Sequence, residues 1–196
     1  MDKKQQIIQA AYELFCLKGY HLSMAELANM VGIKTPSLYS HFSGKDQILE
    51  LMINEEINRY FDCLNSKLIS AESMSCKQAM KSLFLFVMEY FGDFSRLRFW
   101  RTIPLVSNEQ LREKCGQLIA EKDQIYHKRM RQCFMNGVNN GELRPGISES
   151  ALTLYLVMTQ GILDGMLLYP KENGRNTLAT KVFDAYWESV RAIQER

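Results

Sequence analysis

Between positions 34 and 45 the chain gathers polar side chains of several kinds: Lys34, Thr35, Ser37, Tyr39, Ser40, His41 and Lys45. Hydroxyls, a phenol, an imidazole and two ammonium groups on one short segment suit phosphate oxygens and base edges. Pro36 stiffens the start of that segment, which helps to hold a helix end in a major groove. Leu38 and Phe42, four apart, share the opposite face and are expected to plug into a small core. Tyr39 and Lys45 are expected at the surface.

Other chemistry is poorly represented. The five cysteines, Cys16, Cys63, Cys76, Cys115 and Cys133, contain no C-x-x-C pair and suggest neither a disulfide framework nor a zinc site. His21, His41 and His127 lack metal-ligand spacing. No nucleophile elbow, P-loop or G-x-G-x-x-G occurs. The expectation is therefore no enzyme, no metal and no cofactor.

The elements that must position the polar segment follow from caps and stops. Ser23 with Glu26 makes a capping box for one short helix, and Gly32 ends it. Thr35 as N-cap and Pro36 at N1 restart a second helix, over 36–41. Ser43 and Asp46 open a third. Two short helices around a glycine stop form a helix-turn-helix. Upstream, Ile7, Ile8, Ala11, Leu14 and Phe15 give a buried stripe to a first helix over 3–18, stopped by Gly19. A long helix 4 starts near Gly44 and reaches about Ser70, with Glu55, Glu56 and Arg59 on its charged side.

The run LANMVGIKTPSLYSHFSGKDQIL resembles the N-terminal DNA-binding signature of the TetR family of bacterial transcriptional repressors. The match lies at Leu27, Ala28, Gly32, Ile33, Leu38, Tyr39, His41, Phe42, Lys45, Ile48 and Leu49, with Ala11, Leu14, Phe15, Gly19 and Tyr20 upstream. It departs at Met24, where many members carry a small polar residue that contacts phosphate. The resemblance covers about the first 50 residues. It implies an all-α fold: a three-helix DNA-binding domain (1–46) joined through helix 4 to a larger helical ligand-binding and dimerisation domain (47–196).

Composition is compatible with that fold. Hydrophobic content is 46% and charged content 23%, with only four prolines. Leu, Met, Ala, Lys, Glu and Gln favour helix. Net charge is +2, and residues 1–50 hold five lysines balanced by five acids, so the salt dependence of DNA binding is expected to be moderate. No apolar stretch reaches the roughly 18 residues needed to span a bilayer, and the N-terminus has no signal-peptide pattern, so a cytoplasmic location without membrane partners is expected.

Helix 5 is expected over 76–94, a short element over 96–102, another over 108–116, and a long helix over 116–136. A loop over 137–146 follows, then helix 8 (148–169, capped by Ser148, halted by Pro170) and helix 9 (177–194). The family resemblance implies that these last two helices pair a homodimer, with Gly161 and Gly165 permitting close approach. It also implies a small-molecule effector held among aromatic and methionine side chains: Phe84, Met88, Phe91, Trp100, Tyr126, Met130 and Met158. The resulting expectation is a ligand-responsive repressor on double-stranded palindromic operator DNA, released by a small, largely apolar effector. A helical small-molecule binder or enzyme without DNA binding, and an architectural DNA binder without effector, are the alternatives.

Overall fold

The computed structural model describes residues 2–169 and 175–193, and all of the helices named here lie within them. They are α1 (Lys3–Lys18), α2 (Met24–Val31), α3 (Thr35–Tyr39), α4 (Lys45–Ser70), α5 (Cys76–Tyr90), α6 (Phe94–Thr102), α7 (Glu109–Asn139), α8 (Ser148–Leu168) and α9 (Arg175–Val190). Among the described residues the only extended pairing is a single bridge between Leu143 and Arg191. α8 ends at Leu168, one residue short of the expected Tyr169, and α9 ends at Val190, short of the expected Gln194; Pro170 and Gln194 themselves lie outside the described residues.

Two compact units result. The first holds the chain up to Tyr60 together with Ser95–Lys122; the second holds Phe61–Phe94 and the chain from Asp123 onward. Packing therefore draws the first unit wider than the DNA-binding segment 1–46.

In the first unit, α1 buries Ile7, Ala10, Ala11, Phe15 and Cys16. Phe99 of α6 stacks on Tyr12 at 4.8 Å between centroids and meets Phe15 edge-on at 5.2 Å. The capping box on α2 forms as read: the Glu26 N–H donates to Ser23 Oγ at 3.2 Å and the Ser23 N–H to Glu26 Oε2 at 2.9 Å. The Lys18 ammonium beside Glu26 holds its carboxyl down to about 2. Gly32 ends α2 at φ +70°, in the left-handed region that its lack of a Cβ permits.

Several expectations shift. The N-cap of α3 is Lys34 rather than Thr35, so Thr35 and Pro36 both lie inside the first turn. At the start of α4 it is Gln47, not Asp46, that accepts from the Ser43 N–H, at 2.6 Å. Ile33 and Leu14 are half-buried rather than core. Glu56 does not sit on a charged outer side: it is fully buried. Arg59 pairs with it, the Trp100 indole N–H reaches its Oε1 at 3.4 Å, and Arg96 Nε lies 3.8 Å away. The helical spacing explains this, because Glu56 follows Ile53 by three and Leu49 by seven and so falls on their apolar stripe.

In the second unit, α5 starts at a capping box of Ser75 and Gln78 and ends at Tyr90, short of the expected 94. Its Phe84 lies within a ring cluster with Tyr155 of α8 and Phe183 of α9, at 6.1 and 5.6 Å. The buried phenols there are satisfied: Tyr155 donates to the Met80 carbonyl at 3.1 Å and Tyr186 to the Ala151 carbonyl at 2.9 Å.

The two helices expected over 108–136 are one, α7, of 31 residues. Gly116 stays helical because a lone glycine costs only about 1 kcal/mol relative to alanine. The helix continues past Gly137, where a Cβ would meet Cys76 Sγ at 2.8 Å, so glycine permits this packing. Ser148 is not a cap; Ile147 holds that position without a side-chain bond. Finally, α8 is long and apolar enough to cross a bilayer by length and composition, with mean hydropathy 1.5 over 18 residues. That corrects the expectation of no such stretch. Scattered Thr, Gln and Asp interrupt the apolar run without lowering its mean far. One face of α8 (Ala151, Leu152, Tyr155, Thr159, Leu163, Met166) is buried within the unit.

Removing one partner from a buried charge cluster leaves the others uncompensated, at a cost of about 3–5 kcal/mol. Glu56→Ala is therefore expected to lower unfolding free energy by about that much, read as a shifted midpoint in urea. Glu55→Ala, one residue away and exposed, serves as control.

Candidate nucleic-acid interface

The short helix α3 is held from beneath. Leu38 is fully buried and Phe42 is 4% exposed, both within the first unit. The Phe42 and His41 N–H groups both donate to the Leu38 carbonyl at 3.0 Å, which closes the C-terminal end. What faces outward is the polar set. Lys34, Pro36, Ser37, Tyr39 and Ser40 are exposed, with Tyr39 at 55%, while Thr35 and His41 are half-buried. Ser40 Oγ donates to the Ser37 carbonyl at 2.8 Å, so that hydroxyl presents lone pairs outward. Ser37, Tyr39 and Lys34 remain as donors.

Lys45 is placed differently from the free surface cation expected. Its ammonium donates to the Tyr20 carbonyl at 2.9 Å and lies 3.7 Å from the centroid of the Tyr20 ring. The next residue completes the joint. Asp46 accepts from the Tyr20 hydroxyl at 2.8 Å and from the Asn108 amide at 2.9 Å. Burial and the Asp46 hydrogen bond push the Tyr20 phenol above its ordinary value. Asn108 also caps α7, accepting from the Leu111 N–H at 3.0 Å. Tyr20, Asp46 and Asn108 thus tie the turn before α2, the start of α4 and the start of α7 into one joint. Sequence reading assigned Tyr20 only to a motif and missed Asn108; an Asn three residues before the core position Leu111 was the available signal.

The arrangement is that of a helix-turn-helix with a polar recognition face. A family model for bacterial regulatory proteins of the tetR family matches residues 7–52. The DNA-binding segment of this chain is that of the tetR family. Among similar proteins is the fatty acid metabolism regulator protein of Bacillus subtilis, 24% identical over 150 residues, covering 74% of this chain and 73% of that protein. The biofilm operon icaADBC negative transcriptional regulator IcaR of Staphylococcus aureus is 32% identical over 106 residues, 54% of each chain. The structure of FadR from Bacillus subtilis in complex with stearoyl-CoA superposes with a TM-score of 0.71 at 19% identity, covering 93% of this chain and 96% of that one. The chain is a helix-turn-helix transcriptional regulator.

The residues expected at an effector site are not brought to one place within a unit. Phe84, Met88, Phe91 and Met130 are buried in the second unit, where Tyr126 and Met158 are half-buried. Trp100 belongs to the first unit, edge-on to Tyr60 at 4.9 Å. A cavity of about 320 Å³ in the second unit is lined by none of the seven; Leu68, Met74, Cys76, Arg129, Cys133 and Glu142 are among its walls.

Three variants separate contact from scaffold. Tyr39→Ala is expected to weaken operator binding with the melting temperature nearly unchanged. Lys45→Ala is expected to weaken binding and also to lower the melting temperature, because the Tyr20 anchor is lost. Leu38→Ala is expected to destabilise the unit by roughly 2–5 kcal/mol. Full-strength binding by Tyr39→Ala in a gel shift would remove α3 from the reading role.

Proposed function

We propose that this regulator is a repressor that binds a palindromic operator as a homodimer and leaves it when a small, largely apolar effector binds. The observation that carries the reading is the exposed polar face of α3, rigidly backed by Leu38 and Phe42. Lys34, Ser37, Tyr39 and Ser40 reach base edges and phosphates, with Pro36 stiffening the helix start and Thr35 and His41 at its flanks. Lys45 offers the ammonium protons left by its Tyr20 bond to a phosphate. Functionally, residues 1–46 read DNA, and 47–196 bind the effector and dimerise.

Homodimerisation is supported by the outer face of α8. Leu154, Val157 and Leu168 are exposed, at 46, 63 and 72%. With Gly161 and Gly165 they follow one helical stripe, at i, i+3, i+7, i+11 and i+14. Among the described residues, a Cβ at either glycine would meet nothing within 4 Å. Beside it, α9 exposes Leu178 and Ala185. Bare glycines in an apolar stripe suit the close approach of a second copy, and a lone helix-turn-helix reads DNA best as a two-fold pair.

The effector reading rests on the Phe84, Met88, Phe91, Trp100, Tyr126, Met130 and Met158 set, since methionine and aromatic walls accommodate varied apolar ligands. The relatives that regulate fatty acid metabolism, one seen with stearoyl-CoA, support a long apolar chain as the first compound to assay. Release requires that the effector prefer the non-binding state, by on the order of 10⁴-fold for a complete switch.

Gly165→Glu places an unpaired charge in the proposed pair and is expected to give a monomer that no longer binds operator; an intact dimer in light scattering would exclude this face. A charge at Phe183 of α9 would test folding instead, because that side chain is fully buried within the subunit. For the effector, a ligand at 100 times its Kd is expected to stabilise the native state by about 2.7 kcal/mol. It should also lower operator affinity in wild type and do so more weakly in Met158→Ala. Melting shifts without any change in operator affinity would leave a binding domain with no switch.

A further inference from the structure

The cavity of about 320 Å³ in the second unit has two thiols in its wall, Cys76 at the first turn of α5 and Cys133 on α7. Cys133 and Gly137 are four apart and share one face of α7. The Cys76 sulfur lies 2.8 Å from where a Gly137 Cβ would stand, which sets it over that same face. The two thiols therefore line the same stretch of cavity wall, where α5 packs on α7. They differ in access: Cys76 is 4% exposed, whereas Cys133 is half-buried and opens to the cavity.

We propose that Cys76 and Cys133 form a dithiol that hydrogen peroxide oxidises to a disulfide between α5 and α7. Cys133 is the attacking thiol and Cys76 the resolving one. The Cys133 thiolate attacks one peroxide oxygen and the O–O bond breaks. Hydroxide leaves, takes a proton and becomes water, and Cys133 becomes a sulfenic acid. Cys76 loses its proton and attacks the Cys133 sulfur; the S–O bond breaks and a second water leaves. Two thiols lose two electrons in all, and the peroxide gains them.

The surroundings favour this order. The neighbouring Cys76 thiol lowers the Cys133 pKa, and Cys133 together with burial raises that of Cys76, so the accessible sulfur is the nucleophile. Backbone N–H groups of Cys76 and Lys77 donate to Glu142 at 2.9 and 3.2 Å, which fixes the turn that carries the resolving thiol. Cys115 offers a contrast: it is fully buried, and burial pushes its thiol up to about 11. A disulfide inside a reducing compartment is transient, which is the behaviour of a sensor rather than of a structural cross-link.

The test uses the full chain, reduced and then exposed to hydrogen peroxide. Thiol titration after denaturation is expected to fall from the five cysteines of the sequence by two. Peptide mapping is expected to join Cys76 to Cys133, and dithiothreitol to restore both. In Cys76→Ser, dimedone is expected to trap a sulfenic acid at Cys133 and no internal disulfide to form; in Cys133→Ser, peroxide is expected to leave Cys76 reduced. Retention of all five thiols in wild type overturns the proposal, as does a disulfide through any other cysteine. Dimedone labelling of Cys63 in place of Cys133 overturns the order of attack. The wild-type arm needs no variant to fold.

Discussion

A helix of five residues has too few internal hydrogen bonds to hold its own shape in water. The recognition helix therefore depends on the burial of Leu38 and Phe42. Those two side chains leave every polar residue of α3 free to face outward, and they set the direction in which it faces. The capping box on α2 and the left-handed Gly32 then hold the turn that precedes α3. The outward polar side chains thus contribute little to stability, and the scaffold beneath them contributes nearly all of it.

The joint of Tyr20, Lys45, Asp46 and Asn108 gives that scaffold a second property. Through hydrogen bonds of 2.8–2.9 Å it binds the start of α4 to the turn before α2 and to the residue that caps α7. α4 and α7 each run from one compact unit into the other. Their first turns are fixed by these bonds within the unit that carries α3. The buried Glu56, with Arg59, Arg96 and Trp100, adds a second fixed point on α4. Charges buried in this way favour one arrangement of partners over others more than they add net stability.

The second unit is built on aromatic packing whose polar ends are all answered. Tyr155 and Tyr186 bury their rings among Phe84, Phe134, Phe183 and Trp187 while their hydroxyls donate to main-chain carbonyls. Phe84 and Phe183 are thereby committed to the core of a single subunit. Leu154, Val157 and Leu168 on the outer face of α8 stay exposed, and among the described residues nothing stands within 4 Å of a Cβ placed at Gly161 or Gly165.

Local patterns alone determined the helical class, the extent of α1, the capping box at Ser23, the stop at Gly32 and the pairing of Leu38 with Phe42. Each depends on residues within about one turn of one another, so spacing suffices to read it. Tertiary structure alone decided where long side chains end. It buried Glu56 on an apolar stripe, drew Lys45 onto Tyr20, sent Asp46 to Asn108 instead of to a cap, and carried α7 through Gly116. It also brought Cys76 against Cys133, 57 positions later. Such outcomes depend on which surface a helix meets, and a periodic pattern states which face is apolar without stating what lies opposite it.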